Sequence, residues 1–320
     1  MARPTVTTGD CSALPFSRTR SLALRTSGLE VEPSDTSHSD QEFRLRGYVG
    51  TAILRPVELP LYDPRGVRSV TNDYEPWKTA TDGRGGVSGH IFSRKANGVI
   101  PFHSFIEQRI LTSLELNPLV VEIRVQYPEF DQEKWALAKQ KAELMRRTIP
   151  DFHGQVAARL IITVDCVATL ALPDEQELLY HTISGKPKAL LQQPNVIRRH
   201  EKEKTWRARW NSTFEIMTDL TFSGQEHGNN VRLLRWLGRI HDVHEHSAFA
   251  AEFALALKNT EMKDSVNRVL TMIGESMGLT RGKSYQNFAL AHYCGHLRWD
   301  HKYALLPNSQ FRLATPPYRY

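Results

Sequence analysis

The sequence predicts an α/β fold in which helices flank a mixed sheet, followed by a mainly α-helical carboxy-terminal domain. Helical and extended patterns alternate between residues 102 and 222, and several helical patterns follow one another from residue 223. Residues 1–45 are rich in Ser, Thr, Asp and Glu and show little hydrophobic periodicity. We therefore expect a loose arm over 1–45, an α/β domain over 46–222 and a helical, winged-helix-like domain over 223–320.

The first elements of the α/β domain follow from their periodicity. Short extended pieces and a glycine-rich loop at 82–89 come first. The stretch FHSFIEQRILTSLEL, residues 102–116, has apolar residues at helical spacing and ends before Asn117-Pro118, so it predicts a helix. LVVEIRVQYP then predicts a strand, and EFDQEKWALAKQKAELMRRTIP predicts an amphipathic helix.

Two further strands, RLIITVDCVATLAL and QELLYHTISGK, are predicted to form a hairpin about the turn at 173–175. A helix over 194–210 and the strand TFEIMTD complete this domain. The carboxy-terminal domain contains the helical patterns VRLLRWLGRI, FAAEFALALKN, DSVNRVLTMIGESMG and YQNFALAHYC. Two short extended pieces around LRWD are predicted after them, an order compatible with a winged-helix module. Trp236, Trp299 and Phe249 are expected in its core.

Composition limits the classes of protein to which the chain can belong. It has no run of 18 or more apolar residues, and its first residues lack the pattern of a secretory signal. We expect a soluble, cytoplasmic protein that does not engage a membrane. Its three cysteines are far apart and match no metal or disulfide framework, so reduced thiols are expected.

The chain is basic, with a formal net charge of +6, which suggests a polyanionic partner without proving one. The segment RRHEKEKTWRAR, residues 198–209, concentrates basic residues within about three helical turns. One interpretation is a helix face that follows DNA phosphates through Arg198, Arg199, Lys202 and Lys204. The other is a solvated helix face in which Glu201 and Glu203 pair with Lys204 and Arg207. Charge alone leaves both interpretations open.

Three residues combine into a candidate catalytic set. Asp165 interrupts an apolar strand, and Lys186 stands 21 positions later (186 minus 165), near the end of the next strand. The two side chains can therefore meet at one end of a hairpin, and Glu107 can join them from the preceding helix. Carboxylates supply hard oxygen ligands for Mg²⁺, and a lysine can position or help to deprotonate water. This combination is typical of a metal-dependent phosphodiesterase, although the spacing by itself also occurs in unrelated proteins.

The order of these residues and their flanks resembles the TnsA endonuclease subunit of heteromeric cut-and-paste transposases. The matching phrases are FIEQRILTSLELNPLVVEIRVQYP, TVDCVATL, HTISGKPKALLQQPNVIRRHEKE and FEIMTD, which cover roughly residues 90–222. A weaker similarity continues toward the carboxy terminus. The resemblance implies a restriction-endonuclease-like catalytic domain, and a carboxy-terminal domain that helps to dock partner proteins.

The resemblance also implies roles for individual residues. Glu107 and Asp165 would bind Mg²⁺, with Mn²⁺ able to substitute, and the backbone carbonyl of Gly185 could complete the metal shell. Lys186 would be the catalytic lysine. Ser184 falls where the family often carries glutamine; its hydroxyl can bind metal-bound water but adds no charge.

Three further positions match the family pattern, and each has two interpretations. Gln126 aligns with a family glutamine, and it would orient the phosphate or a catalytic carboxylate, or else serve packing and backbone capping. Glu201 and Glu203 fall on acidic family positions, but helix salt bridges are the favoured interpretation.

The resemblance implies an activity and partners. TnsA-type subunits cut the 5′ strands at transposon ends, while TnsB, an integrase-type transposase, cuts and joins the 3′ strands and TnsC, a AAA+ regulator, controls the assembly. Bacterial DNA in the nucleoid would be the substrate. Two alternatives stay open: a free-standing restriction or repair nuclease of the same fold, and a non-catalytic adaptor that docks DNA or the ATPase.

Overall fold

A four-stranded mixed sheet organises the middle of the chain. The computed structural model describes residues 43–82, 86–129, 162–208, 212–238, 240 and 242–320. The helix predicted within 129–150 and the arm up to residue 42 lie outside the described residues. Phe43 and Leu45, which the prediction assigned to the arm, are buried in the core.

The strands of this mixed sheet are β4 (Val120–Glu129), β5 (Ile162–Leu170), β6 (Leu179–Gly185) and β7 (Thr213–Met217). They lie in the order β4-β5-β6-β7. The pairs β4–β5 and β5–β6 are antiparallel, whereas β6 and β7 are parallel. A parallel neighbour requires a crossover, which here includes helix α2 (Pro194–Ala208). The predicted mixed α/β architecture is therefore confirmed.

Helix α1 (Phe105–Glu115) packs against this sheet and begins three residues later than the predicted start at residue 102. The reason is that Phe102 belongs to strand β3 (Gly98–Phe102), which pairs with β2 (Gly89–Ser93). Ile110, Leu111 and Leu114 of α1 join the sheet residues Ile123, Val125 and Ile183 in one hydrophobic cluster.

Four helices follow the sheet: α3 (Gly224–Leu237), α4 (Ser247–Lys258), α5 (Val266–Ser276) and α6 (Arg281–Tyr293). They enclose a second cluster, in which Trp299 is fully buried as predicted and Trp236 packs at the edge. Phe249, also predicted in the core, is 36% exposed on α4. After α6, residues 298–300 run antiparallel to 312–314 through the bridge between Trp299 and Leu313. This single bridge is the extended pairing that the described residues show around LRWD, and its second segment lies beyond the stretch 295–306.

The carboxy-terminal residues return to the first cluster. Strand β8 (Tyr318–Arg319) pairs with β1 (Val49–Gly50), and the Tyr320 hydroxyl accepts from the backbone N–H of Ala52 at 3.2 Å. Residues 42–320 consequently form one compact unit that contains both clusters. Within its described part, no helix has the length and apolar character needed to cross a membrane.

Candidate active site

Asp165 and Lys186 meet at one end of the β5–β6 hairpin, as the sequence predicts. The ladder between these strands ends at the pair Cys166–Ile183. Beyond that pair, the backbone N–H of Gly185 donates to Oδ2 of Asp165 at 2.7 Å. A buried N–H needs an acceptor, and the carboxylate supplies it where the strand partner is lost. Nζ of Lys186 lies 3.4 Å from the same oxygen.

A backbone irregularity turns β4 and β5 toward α1 at this level. Gln126 has a φ of 47°, in the left-handed region that few residues other than glycine adopt. Val125 pairs with Cys166, and Tyr127 pairs with Val164. Residues two apart in a regular strand share one face of the sheet. Val125 and Tyr127 do not, because Val125 belongs to the cluster that contains α1, whereas Tyr127 belongs to a separate cluster. Gln126 is thereby directed to α1, where its Nε2 donates to Oε2 of Glu107 at 3.3 Å.

Glu107 is held at the start of α1 by a capping arrangement. The Ser104 side chain accepts from the Glu107 backbone N–H at 3.1 Å, and the Ser104 hydroxyl donates to Glu107 Oε1 at 3.2 Å. The backbone N–H of His103 donates to Glu107 Oε2 at 3.0 Å. The pattern S-x-x-E at 104–107 is the signature of a capping box, and it was readable in the sequence although our prediction did not use it. Both oxygens of Glu107 are therefore fixed in place.

Glu107 and Asp165 face one small cavity between α1 and the sheet. The cavity is lined by Glu107, Ile110, Leu111, Asp165, Cys166 and Ile183. Gly185 borders this region so closely that a Cβ placed on it would lie 3.0 Å from Cδ1 of Ile110 and 3.2 Å from Cγ2 of Ile106. Glycine at this position lets α1 approach the end of β6.

The two carboxylates interact electrostatically. Burial, and then the negative charge of Asp165, raise the pKa of Glu107 to about 7. The His103 N–H, the Ser104 hydroxyl and the charge of Lys186 oppose this rise in the pKa. The charge of Asp165 thus disfavours the ionised form of Glu107, and a cation bound at this site would relieve that repulsion.

The donor set fits Mg²⁺. No group of three or more His, Cys, Asp or Glu side chains suited to a metal occurs within the described residues, so the site offers two carboxylates. Mg²⁺ is commonly bound by one or two carboxylates, with waters and substrate phosphates in the remaining positions. Glu107 and Asp165 therefore suit a magnesium ion that shares its shell with a phosphate substrate.

Ser184, predicted beside the metal, lies apart from this cavity, and so does His181 on the same strand. Ser184 is buried, and strand alternation directs its side chain to the face opposite that of Ile183, which lines the cavity. His181 is fully buried; its ring nitrogens contact Thr213 Oγ1 at 2.8 Å and Glu215 Oε2 at 3.2 Å. His181 is thus committed to the contact between β6 and β7.

Some basic side chains of α2 are exposed to solvent, and others are buried in the core. Arg198, Lys202 and Lys204 are exposed, as a DNA-contacting face requires. Arg207, which the second interpretation places on a solvated helix face, is 1% exposed and lies over the Phe214 ring at 4.3 Å. That expectation is wrong for Arg207, because its stem and guanidinium pack in the core instead of meeting solvent.

Arg199 and Glu203 link α2 to the site. Nε of Arg199 donates to Glu203 Oε1 at 2.8 Å, so the observed ion pair of Glu203 joins it to Arg199 and not to the predicted partner Lys204. The other end of the Arg199 guanidinium donates to the backbone carbonyl of Thr163 at 2.9 Å. Arg199 thus braces β5 two residues before Asp165 and is only partly available to a ligand.

Two residues that contact the site come from the segment 73–79, for which the sequence predicts no helix or strand. The backbone N–H of Trp77 donates to the carbonyl of Gln126 at 3.3 Å, and Nζ of Lys78 donates to Thr163 Oγ1 at 2.8 Å. Residues 73–79 carry no hydrophobic period that would have placed them beside the sheet. Only the three-dimensional structure brings them to the site.

No protein-family model matches the chain, and no curated protein matches its sequence. The chemistry of the site therefore follows from its own geometry. Two buried or half-buried carboxylates, a lysine ammonium and a glutamine amide converge at the end of two strands. Such a group of side chains can bind a divalent cation and position water beside a phosphate.

Proposed function

We propose that the chain is a Mg²⁺-dependent DNA endonuclease that hydrolyses phosphodiester bonds at transposon ends, as the TnsA-type subunit of a heteromeric transposase. The observation that carries the proposal is the convergence of Glu107, Asp165 and Lys186 at one edge of the sheet. The phrases that resemble TnsA surround these three residues. A restriction-endonuclease-like fold is part of the proposal, and the mixed sheet with α1 against it is compatible with that fold.

The residues of the chain divide the work of hydrolysis. Glu107 and Asp165 would hold Mg²⁺, with the Gly185 carbonyl as a third candidate ligand. When bound, the metal supplies Lewis-acid stabilisation of the phosphate charge and lowers the pKa of a bound water. Nζ of Lys186, beside Asp165 Oδ2, orients the attacking water and takes part in its deprotonation. The burial of Glu107 keeps bulk water away from one side of the site.

DNA reaches this edge through electrostatic attraction. The exposed residues Arg198, Lys202 and Lys204 lie on α2, the helix that also carries Arg199 to the Thr163 carbonyl. Contacts of lysine and arginine with phosphates give affinity without sequence preference. Choice of the cleavage site then falls to the partners, the TnsB-type transposase and the TnsC-type regulator, on DNA in the bacterial nucleoid.

The test is strand-resolved cleavage of a labelled transposon-end duplex with Mg²⁺ or Mn²⁺, with and without the partner transposase. We expect 5′-strand cleavage that requires the partner and disappears in Asp165→Ala and Lys186→Ala. Cleavage without the partner would identify a free-standing nuclease. Equal activity of the wild type and both variants would reject this site as the active centre.

A further inference from the structure

A chain of three hydrogen bonds connects the segment before β2 to the candidate metal ligand Glu107. Nζ of Lys78 donates to Thr163 Oγ1 at 2.8 Å. The Thr163 hydroxyl donates to Gln126 Oε1 at 3.4 Å, and Gln126 Nε2 donates to Glu107 Oε2 at 3.3 Å. The last two contacts are long, so their value depends on how firmly the groups are oriented.

The donors and acceptors in this chain fix its direction. An ammonium can only donate, so Thr163 must accept from Lys78 and has its single hydroxyl hydrogen left for Gln126. That hydrogen selects the oxygen end of the Gln126 amide. The nitrogen end consequently faces the Glu107 carboxylate. An ionised carboxylate accepts hydrogen bonds but cannot donate them, so it requires a donor such as this nitrogen.

Lys78 disfavours the opposite orientation of the Gln126 side-chain amide. Rotating the Gln126 amide by half a turn would set its oxygen against the Glu107 carboxylate and its nitrogen against Thr163. A threonine hydroxyl has two lone pairs and one hydrogen, so Thr163 can accept from Lys78 and donate to Gln126 at the same time. The hydrogen bond from a cation polarises the Thr163 hydroxyl and strengthens it as a donor, which favours the oxygen end of the amide over the rotated form.

The same segment also fixes the backbone of Gln126. Trp77, the residue next to Lys78, donates its backbone N–H to the Gln126 carbonyl at 3.3 Å. Gln126 has the left-handed backbone described above, a conformation that persists only when its surroundings determine it. Trp77 thus holds the main chain of Gln126 while Lys78, through Thr163, orients its side chain.

We propose that Lys78 is a positioning residue, which orients the Gln126 amide toward Glu107 and so keeps this carboxylate in the position that binds a divalent cation. The proposal rests on the proposed function, because it gives Glu107 the role of a metal ligand. Residues that orient metal ligands commonly change metal affinity by about 10–100-fold when removed. Lys78 is two hydrogen bonds further from Glu107 than Gln126, which contacts the ligand directly, so a smaller effect follows.

The experiment compares Lys78→Met, which keeps the length of the side chain without its charge, with Lys78→Arg, which keeps a cationic donor. Mn²⁺ affinity of the full chain without DNA is measured by calorimetry. The side-chain amide signals of Gln126 are followed by NMR after selective glutamine labelling and assigned with Gln126→Leu. We expect about three- to tenfold weaker Mn²⁺ binding and shifted Gln126 signals in Lys78→Met, with both restored toward the wild type in Lys78→Arg.

Thr163→Val tests the same chain if Lys78→Met is poorly folded, because it removes the hydroxyl at nearly constant volume. Unchanged Mn²⁺ affinity and unchanged Gln126 signals in a folded variant would overturn the proposal. A shift in melting temperature alone, without these two changes, would also overturn it and leave Lys78 as a structural anchor. If the wild type itself binds no Mn²⁺, whereas the Gln126 signals still respond to Lys78, the metal-site assignment fails and the orienting role remains.

Discussion

The backbone N–H of Gly185 donates to Oδ2 of Asp165 at 2.7 Å, so one carboxylate both closes the end of a hairpin and carries charge into the candidate site. These two contributions belong to the same side chain but depend on different properties. The hydrogen bond needs only an acceptor oxygen, whereas metal binding needs the negative charge. Substitutions at position 165 can therefore separate stability from chemistry.

Asp165→Asn and Asp165→Ala should differ in their free energy of unfolding but show the same loss of cleavage activity. Asparagine retains an oxygen for the Gly185 N–H, whereas alanine leaves this N–H without an acceptor, which costs about 1–3 kcal/mol. Both variants lose the charge, and we expect cleavage to fall by at least about a thousandfold. Urea unfolding and single-turnover cleavage measure the two effects. Equal stability of the two variants would mean that the Gly185 contact contributes little.

Glu107→Gln should stabilise the metal-free protein at alkaline pH. The pKa of Glu107 is raised in the folded state from 4.5 to about 7, so folding favours the protonated acid. The free energy of unfolding therefore decreases as pH rises from about 4.5 to about 7, where the unfolded chain has released a proton that the folded protein still holds. Glutamine cannot ionise; its single side-chain oxygen can accept from the His103 N–H, and its amide nitrogen can donate to Ser104 Oγ. At pH 8 we expect the variant to be about 2 kcal/mol more stable.

The control for this prediction is the same comparison at pH 4. Glu107 is protonated there in both states, so the difference in stability between wild type and variant should vanish. Adding Mg²⁺ at pH 8 should raise the melting temperature of the wild type and leave that of the variant unchanged. A variant that is less stable than the wild type at every pH would contradict the electrostatic account of Glu107.

Lys186→Met should reduce cleavage without unfolding the protein. The Lys186 side chain is 20% exposed and lies 3.4 Å from Asp165, an ion pair that contributes at most about 1 kcal/mol. Loss of a group that assists proton transfer typically lowers the rate by about 10²–10⁴-fold. Single-turnover cleavage beside a thermal melt checks both statements. Lys188→Met, one residue beyond Pro187, is the matched control and should retain activity.

Gly185→Ala should destabilise the protein because of its neighbours on α1. The new Cβ would lie 3.0 Å from Cδ1 of Ile110, and overpacking of this kind costs about 1–3 kcal/mol. Valine lacks that Cδ1 atom, so adding Ile110→Val to Gly185→Ala should recover part of the loss. A double-mutant cycle in urea measures the coupling. If the effects of the two substitutions on stability are strictly additive, α1 shifts away from the new Cβ and the Ile110 contact does not cause the loss.

Arg198→Ala combined with Lys202→Ala should weaken DNA binding without changing the melting temperature. Both side chains are exposed on α2, and each phosphate contact contributes close to one unit to the slope of log affinity against log salt. We expect that slope to decrease by about two in a fluorescence-anisotropy titration with nonspecific duplex. Arg207→Ala is the contrasting variant: because Arg207 is buried over Phe214, it should destabilise the fold. An unchanged slope would place the DNA elsewhere.

Periodicity predicted much of the fold because the sheet strands are apolar and α1 has a regular apolar stripe. It also placed Asp165 and Lys186 together, since a hairpin brings its two ends to one edge. Periodicity could not reveal the left-handed backbone of Gln126, which turns its side chain toward Glu107. Nor could it place Lys78, whose segment lacks a period and meets the sheet only through tertiary contacts.

The same limit explains the basic run on α2. Sequence spacing put Arg198, Lys202 and Arg207 on one helix, but burial depends on which neighbour each side chain meets. Phe214 offers an aromatic face to Arg207, and the Thr163 carbonyl accepts from Arg199. Both neighbours lie in strands of the sheet, β7 and β5. The tertiary structure therefore decides which side chains of α2 are exposed and which are buried.

The pairing of β1 with β8 has a consequence for how the chain folds. The hydroxyl of Tyr320 and the backbone of Ala52 are 268 positions apart, so their contact closes a very long loop. Contacts of large sequence separation slow folding, because chain entropy is lost before the contact is formed. Tyr318 and Tyr320 belong to the same hydrophobic cluster as α1 and the sheet. During synthesis, the core beneath the candidate site is therefore complete only after the residues around Tyr320 have been made.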